Sequence, residues 1–317
     1  MIPTGSATAN KQRRKDSEKW LGEWMAERGN RDQLVLATKY TMPYKTYSMG
    51  KQYSINYSGN HKKAMNISLR DSLAKLGTEY IDILYLHFWD FSTSIEEIID
   101  SLHILVESGK VMYLGISDTP AWIVSAANTY AKAQGKTQFS IYQGEWNIMK
   151  RDFEREIIPM ARQFGMALAP WNALGGGRIK SKKQVAAMQK GGQTLRWGTE
   201  QTESERKYAD ALEKVGARHG VDSVQAVALA YVLQKTTNVF PVVGGTKVEY
   251  LHDNIKALSI HLTDQDYEEL ESVEEFEHGF PMNFIGPEPR VTGKPTYLLQ
   301  SAGNWVYNVD GKPIGRQ

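Results

Sequence analysis

The chain has 317 residues, 41% hydrophobic and 23% charged, with a formal net charge of +2, an ordinary globular composition. So small a charge gives no reason to expect a nucleic-acid or membrane-surface partner. The absence of cysteine excludes disulfides, thiolate catalysis and cysteine-ligated zinc. No apolar run approaches the roughly 18 residues of a membrane helix. The first residues, MIPTGSATAN, lack the apolar stretch of a signal peptide and lead into the charge run KQRRKD, Lys11 to Asp16. The expectation is a cytosolic protein without a membrane partner.

Short apolar strands alternate with helical stretches along the chain. Leu34 to Thr38 (LVLAT) reads as a buried strand, followed by Ile81 to Leu86, Val111 to Ile116, Gln138 to Tyr142, Met166 to Ala169 and Val239 to Val243. Each is short and rich in aliphatic or aromatic residues, as strands covered on both faces are. Between them, Met65, Leu69, Leu73 and Leu76, then Ile98, Leu102 and Leu105, then Phe153, Ile157, Met160, Ala161 and Phe164 repeat at helical spacing. Further helices are predicted over 205–218, 222–234 and 247–258. Alternating strands and helices without hairpin signals predict a parallel sheet. Residues 172–204, rich in Gly and Lys, read as a long loop, functional or mobile. Residues 278–317 read as an irregular tail packed over one end. No linker or repeat divides the chain, and α/β barrels of about 250 residues or more form one domain, so a single domain over 1–317 is expected.

The strand ends carry the polar residues. In order they are Lys39 and Tyr40; His87 with Phe88, Trp89 and Asp90; Ser117 and Asp118; Gln143 with Glu145 and Asn147; Trp171 and Asn172; and Gly244, Gly245, Thr246 and Lys247. In barrel enzymes the active site lies at the C-terminal ends of the strands. Each residue alone has an ordinary reading: a snorkelling lysine, a core histidine, a core tryptophan, a glycine turn. Six successive strands ending this way point to a site.

The blocks LATKY, IDILYLHFWD, YLGISDTPAW, YQGEWN, APWNALGGG and VFPVVGGTKVEYLHDNIKAL resemble successive blocks of the aldo-keto reductases, most nearly the fungal aryl-alcohol dehydrogenase and norsolorinic acid reductase type. The resemblance runs from about Asp16 to the C-terminus. It implies an α/β fold, the (β/α)8 TIM barrel, and NADP(H)-dependent hydride transfer to a carbonyl, or from an alcohol, without a metal. The substrate expected is a small aromatic or polycyclic carbonyl or alcohol, in fungal polyketide or meroterpenoid metabolism. By the resemblance, Lys39 matches the lysine that lowers the pKa of the family's tyrosine and His87 the histidine that orients the carbonyl oxygen. Ser117, Asp118 and Gln143 match contacts to the nicotinamide carboxamide. Asp118 stands where the family usually has Asn, and a carboxylate cannot donate a hydrogen bond. Trp171, followed by Asn172, matches the aromatic that stacks on the nicotinamide. Leu174 to Gly177, with Arg178 and Lys180, match the cover of the pyrophosphate. Gly244, Gly245, Thr246 and Lys247 match the loop and helix start that hold the 2′-phosphate, and Asn254 an adenine contact. Close relatives often carry Arg at the Thr246 position, so one bidentate phosphate contact is missing. Phe88, Trp89, Trp122 and Trp146 are expected to form an aromatic mouth.

The family begins with a strand, a helix and a second strand ending in an Asp-Thr-Ala block, with the catalytic tyrosine about five residues after that Asp. Thr8, Ala9 and Asn10 resemble the remnant of this block. The register then puts Ala7 at the Asp position and Gln12 at the Tyr position, and no tyrosine precedes Tyr40. The first strand-helix unit and most of the second strand are expected to be missing. Either a genuine protein has lost them, or this is a shortened form of a longer chain, the reading favoured because the rest of the site is intact. A catalytically impaired NADPH-binding protein is the alternative function.

Overall fold

A computed structural model describes residues 7–192, 194–195, 200–245 and 247–315, with only the backbone described for 7–16 and for residue 47. The chain forms two compact units. One takes in the chain up to Gln143 together with Met160–Met166; the other takes in Gly144–Pro159 and the chain from Ala167 onward.

The first unit opens on helix α1 (Ala7–Arg28), and among the described residues the first strand is β1 (Ala37–Tyr40). After a short helix α2 (Thr46–Met49) come α3 (Lys62–Leu76), β2 (Ile81–Leu86), α4 (Ile95–Glu107), β3 (Val111–Ser117), α5 (Ala121–Ala133) and β4 (Phe139–Glu145), whose last two residues belong to the second unit. The strands lie in chain order, each parallel to the next, with Lys39 beside Tyr85, Tyr85 beside Gly115, and Ser117 beside Gln143. Each return between parallel strands is a helix, because a tight turn cannot reverse the chain twice.

The helices start and stop where local chemistry dictates. Ser94 caps α4 by accepting from the Glu97 N–H at 3.2 Å, and Gly77 ends α3 in the left-handed region at φ 63°. Met65, Leu69, Ile98, Leu102, Val124 and Ala131 are buried at the spacing of one helical face. Gly22 lets α1 approach α3 closely: a Cβ there would lie 2.7 Å from the Lys75 carbonyl oxygen. Lys75 then bonds Glu18, which accepts from the Thr38 hydroxyl at 2.6 Å, tying α1 and α3 to β1.

The second unit contains β5 (Ala167–Trp171), α7 (Lys182–Lys190), α8 (Glu203–Arg218), α9 (Val224–Lys235), α10 (Val248–Lys256) and α11 (Asp264–Glu271); α6 (Ile157–Gln163) runs through the unit boundary. Helix α9 is buried almost all round, from Ala226 to Val232. A partly buried ion network includes Lys235, its last residue. Arg151 donates to Glu154 at 2.7 Å and to Glu271 at 2.9 Å, and Lys235 bonds Glu271.

Four expectations need correcting. The segment 239–243 is no full strand: Val239 makes an isolated parallel bridge to Leu168, supported by Phe240 N–H to the Leu168 carbonyl at 2.7 Å. Phe240 and Val242 are exposed, so it is not covered on both faces. The stretch 172–204 is not loop throughout; Ser181 and Gln184 form a capping box that starts α7. The tail is not packed over an end. It contains three single-turn helices, α12 (Met282–Ile285), α13 (Pro289–Thr292) and α14 (Tyr297–Gln300), and leaves Phe280, Val306 and Ile314 in solvent. Helices α1, α5 and α11 were not foreseen. No helix among the described residues is long and apolar enough to cross a membrane.

Candidate functional site

In the first unit the polar residues converge at the C-terminal ends of β1 to β4. Lys39 projects from β1 and its ammonium donates to Oε1 of Gln143 at the end of β4. It also lies 5.4 Å from the centre of the Tyr85 ring. Burial pulls the Lys39 pKa below the usual lysine value, and the Asp118 carboxylate opposes that shift.

His87 follows directly on β2. Burial lowers its pKa to about 4, with the positive charge of Lys39 adding to the effect, so the imidazole is neutral near pH 7. A hydrogen-bond network sets the height of this corner. Buried Asn60 donates to Thr41 Oγ1 at 3.1 Å and to the Phe88 carbonyl at 3.0 Å. Its N–H donates to Asp90 Oδ2 at 2.8 Å, and its own Oδ1 accepts from the Asp90 N–H at 2.9 Å. Thr41, at φ 100°, is held there in a conformation rare for a β-branched residue, and its hydroxyl faces the His87 N–H at 3.4 Å.

The third corner turns sharply. Ser117 is fully buried and its hydroxyl donates to Asp118 Oδ2 at 3.0 Å. Asp118 adopts φ 43°, a left-handed conformation that Asp tolerates better than most residues. Its N–H donates to the Gln143 carbonyl at 3.0 Å. Thr119 Oγ1 donates to the Ser117 carbonyl at 2.8 Å, and the Tyr142 hydroxyl to the Thr119 carbonyl at 2.7 Å. Lys39, His87, Ser117, Asp118 and Gln143 thus come from four strand ends to one corner of this unit.

The second unit carries the other residues singled out by sequence. Trp171 ends β5, and its carbonyl accepts from the Trp146 N–H at 3.3 Å. Asn172, at φ 59°, donates to Glu145 Oε1 at 2.6 Å, while its carbonyl accepts from buried Asn147 at 3.0 Å. Leu174 caps the glycine turn Gly175–Gly177. Gly175 suits its place: its φ is +58°, which strains any side chain, and a Cβ would meet Ile179 and Met149 at 2.9 Å. Arg178 is committed to Glu205, whose Oε2 accepts from Nη2 at 2.8 Å, so an anion over this turn would compete with a carboxylate. Lys180 is half-buried and burial lowers its pKa. Lys247 caps α10 with no side-chain cap on the helix N-H groups. A Cβ on Gly244 would meet nothing within 4 Å, whereas one on Gly245 would lie 3.2 Å from the Tyr250 Cβ; main-chain N–H groups at a helix start suit a phosphate. Asn254 sits on α10, half-buried. Thr246 lies outside the described residues, as do the side chains of Ala7 and Gln12.

Trp146 corrects the expected aromatic mouth. It is fully buried and stacks on Phe153 with ring centres 5.7 Å apart, so it is core of the second unit. Trp122 is exposed and Phe88 and Trp89 are half-buried. Tyr85 is the residue that sequence reasoning missed. It stands two residues before His87, hence on the same face of β2, and that spacing is the signal that could have found it.

The aldo/keto reductase family model matches residues 7–275. The chain is 52% identical to the aldo-keto reductase ausK of Aspergillus calidoustus over 97% of its own length and 78% of that protein. It is 50% identical to an aryl-alcohol dehydrogenase [NADP(+)] of Phanerodontia chrysosporium over 88% of its length and 74% of that protein. Among solved structures, a thermostable aldo-keto reductase bound to the inhibitor epalrestat matches with a TM-score of 0.62 at 20% identity, covering 81% of this chain and 77% of the other, a likeness of fold.

Proposed function

Because the chain belongs to the aldo/keto reductase family, with its α/β fold of the TIM-barrel type and its oxidoreductase chemistry on carbonyl and alcohol groups, we propose that it is an NADP(H)-dependent reductase of aromatic or polycyclic carbonyl compounds, or the corresponding alcohol dehydrogenase. The observation that carries this reading is the convergence, at neighbouring strand ends, of half-buried Lys39 and half-buried His87, whose imidazole is kept neutral.

NADPH, when bound, supplies the hydride. Gly244, Gly245 and Lys247, with Thr246 by the resemblance, would hold its 2′-phosphate, and the uncapped start of α10 is an observation in keeping with that role. Ser117, Asp118 and Gln143, by the same resemblance, would hold the carboxamide, Trp171 the nicotinamide face, and Asn254 the adenine. The work left to Lys39 and His87 concerns the carbonyl oxygen. Negative charge grows there as carbon is reduced, and fixed donors in a half-buried corner stabilise it more than water does. Neutral His87 orients the oxygen with its N–H. Lys39, by the same resemblance, supplies the positive charge that lowers the pKa of the family's tyrosine, and burial makes its own ammonium more acidic than usual.

Phe88, Trp89 and exposed Trp122 offer apolar surface for an aromatic substrate, in keeping with fungal polyketide or meroterpenoid tailoring in a reducing cytosol. The test is to titrate purified protein with NADPH and with NADH, then to follow NADPH oxidation over a panel of aryl aldehydes and polycyclic ketones. Tighter binding of NADPH and turnover of at least one aromatic carbonyl are expected. Binding without turnover across the panel would favour the impaired nucleotide-binding protein instead.

A further inference from the structure

Three successive residues at the end of β4, all in the second unit, bond Trp171 and Asn172 at the end of β5. The Trp146 N–H donates to the Trp171 carbonyl at 3.3 Å. Asn147 Nδ2 donates to the Asn172 carbonyl at 3.0 Å, which also accepts from the Gly175 N–H at 2.8 Å. The Asn147 amide cannot be reversed, because its Oδ1 accepts from the N–H groups of Met149 and Lys150 at 2.9 and 3.0 Å. Glu145 adds a contact of another kind. Its Oε1 accepts from Asn172 Nδ2 at 2.6 Å. A carboxylate only accepts, so the amide nitrogen must face it. A bond to a charged acceptor is also stronger than one between neutral groups. The chain needs holding here, since Asn172 turns at φ 59°, in the left-handed region.

We propose that Glu145 is a positioning residue, which fixes the Asn172 side chain and through it the corner that carries Trp171. Contacts on the two carbonyls alone leave the corner free to tilt; a third, on a side chain, removes that freedom. The brace deepens the proposed function and rests on it only in taking Trp171 as the face for the nicotinamide.

The test uses the whole chain labelled with 5-fluorotryptophan. The Trp171 fluorine signal is assigned by its loss in Trp171→Phe and is read first without cofactor. Glu145→Leu removes the acceptor and Asn172→Gly the donor; in both, the signal should move and broaden. Glu145→Gln keeps an acceptor oxygen for Asn172 and should leave the signal at its wild-type position. Glycine adopts the left-handed turn freely, so Asn172→Gly stays informative if Glu145→Leu fails to fold. A Trp171 signal that stays put in either variant overturns the proposal, even where the melting temperature falls. So does one that moves as far in Glu145→Gln as in Glu145→Leu. NADPH is then added, and Glu145→Leu should weaken its binding about fivefold, with Glu145→Gln close to wild type. If NADPH leaves the wild-type Trp171 signal unchanged, the cofactor reading fails, while the brace is still decided by the cofactor-free spectra.

Discussion

The ring of Tyr85 occupies the space that a side chain on Gly115 would need. Two of its carbons lie 2.5 Å from where a Cβ would be, closer than nonbonded carbons approach. The two residues are partners in the β2–β3 register, so the absence of a side chain on one strand makes room for the largest side chain on its neighbour. Gly115→Ala must therefore displace Tyr85 or the strand, at a cost of about 1–3 kcal/mol, typical of overpacking. Urea unfolding measures it, and a stability equal to wild type would show that the ring has somewhere else to go.

His87 and Lys39 are coupled through their charges. Removing the ammonium in Lys39→Met should raise the His87 pKa from about 4 towards the ordinary imidazole value of about 6.5, read from the imidazole protons by NMR. Stability follows the same sign. The folded-state pKa lies below the unfolded one, so between about pH 6.5 and 4 the unfolded chain binds more protons. His87 therefore costs stability as pH falls through that window, and the loss should be smaller in Lys39→Met. A His87 midpoint that does not move would show that burial alone sets it.

Asn60 joins the loop after β1 to the corner that carries His87. Asn60→Ala deletes the bonds to Thr41 and Phe88 and strands the Asp90 N–H. An unmet buried polar group costs about 1–3 kcal/mol. The variant should lose that much stability and show faster amide exchange at His87 to Asp90. Stability loss without faster exchange there would place the damage elsewhere.

Asp266 links helix start to helix end in the second unit. It accepts from the Thr263 N–H at 2.9 Å, from Arg218 Nη2 at 2.6 Å and meets His219 Nε2 at 2.9 Å. Burial works against these contacts, but the contacts prevail and hold the carboxyl well below the usual aspartate range. Its contribution is complete above about pH 4 and is lost as pH falls below it. Asp266→Asn should melt earlier than wild type at pH 6, and the gap should narrow at pH 3. A constant gap would mean that the charge of Asp266 contributes nothing.

Much of this protein was legible in its sequence. Buried parallel strands need apolar residues on both faces, so IDILYL and VMYLGI read directly as β2 and β3. The helical spacing of Met65 and Leu69, or Ile98 and Leu102, named faces that are buried. The strand-end residues Lys39, His87, Ser117, Asp118 and Gln143 followed from strand order, because parallel strands present their C-terminal ends on one side. Order along the chain could not reveal partners. That Lys39 bonds Gln143, 104 residues away, that Arg178 is already taken by Glu205, and that Trp146 stacks in a core depend on which surfaces pack together. Segment 239–243 reads as a buried strand because pattern reports what a residue prefers, while only packing decides whether a neighbour is there to cover it. Sequence determined which residues stand at the strand ends; the tertiary structure decided which of them touch, through contacts such as Tyr85 on Gly115 that no periodicity encodes.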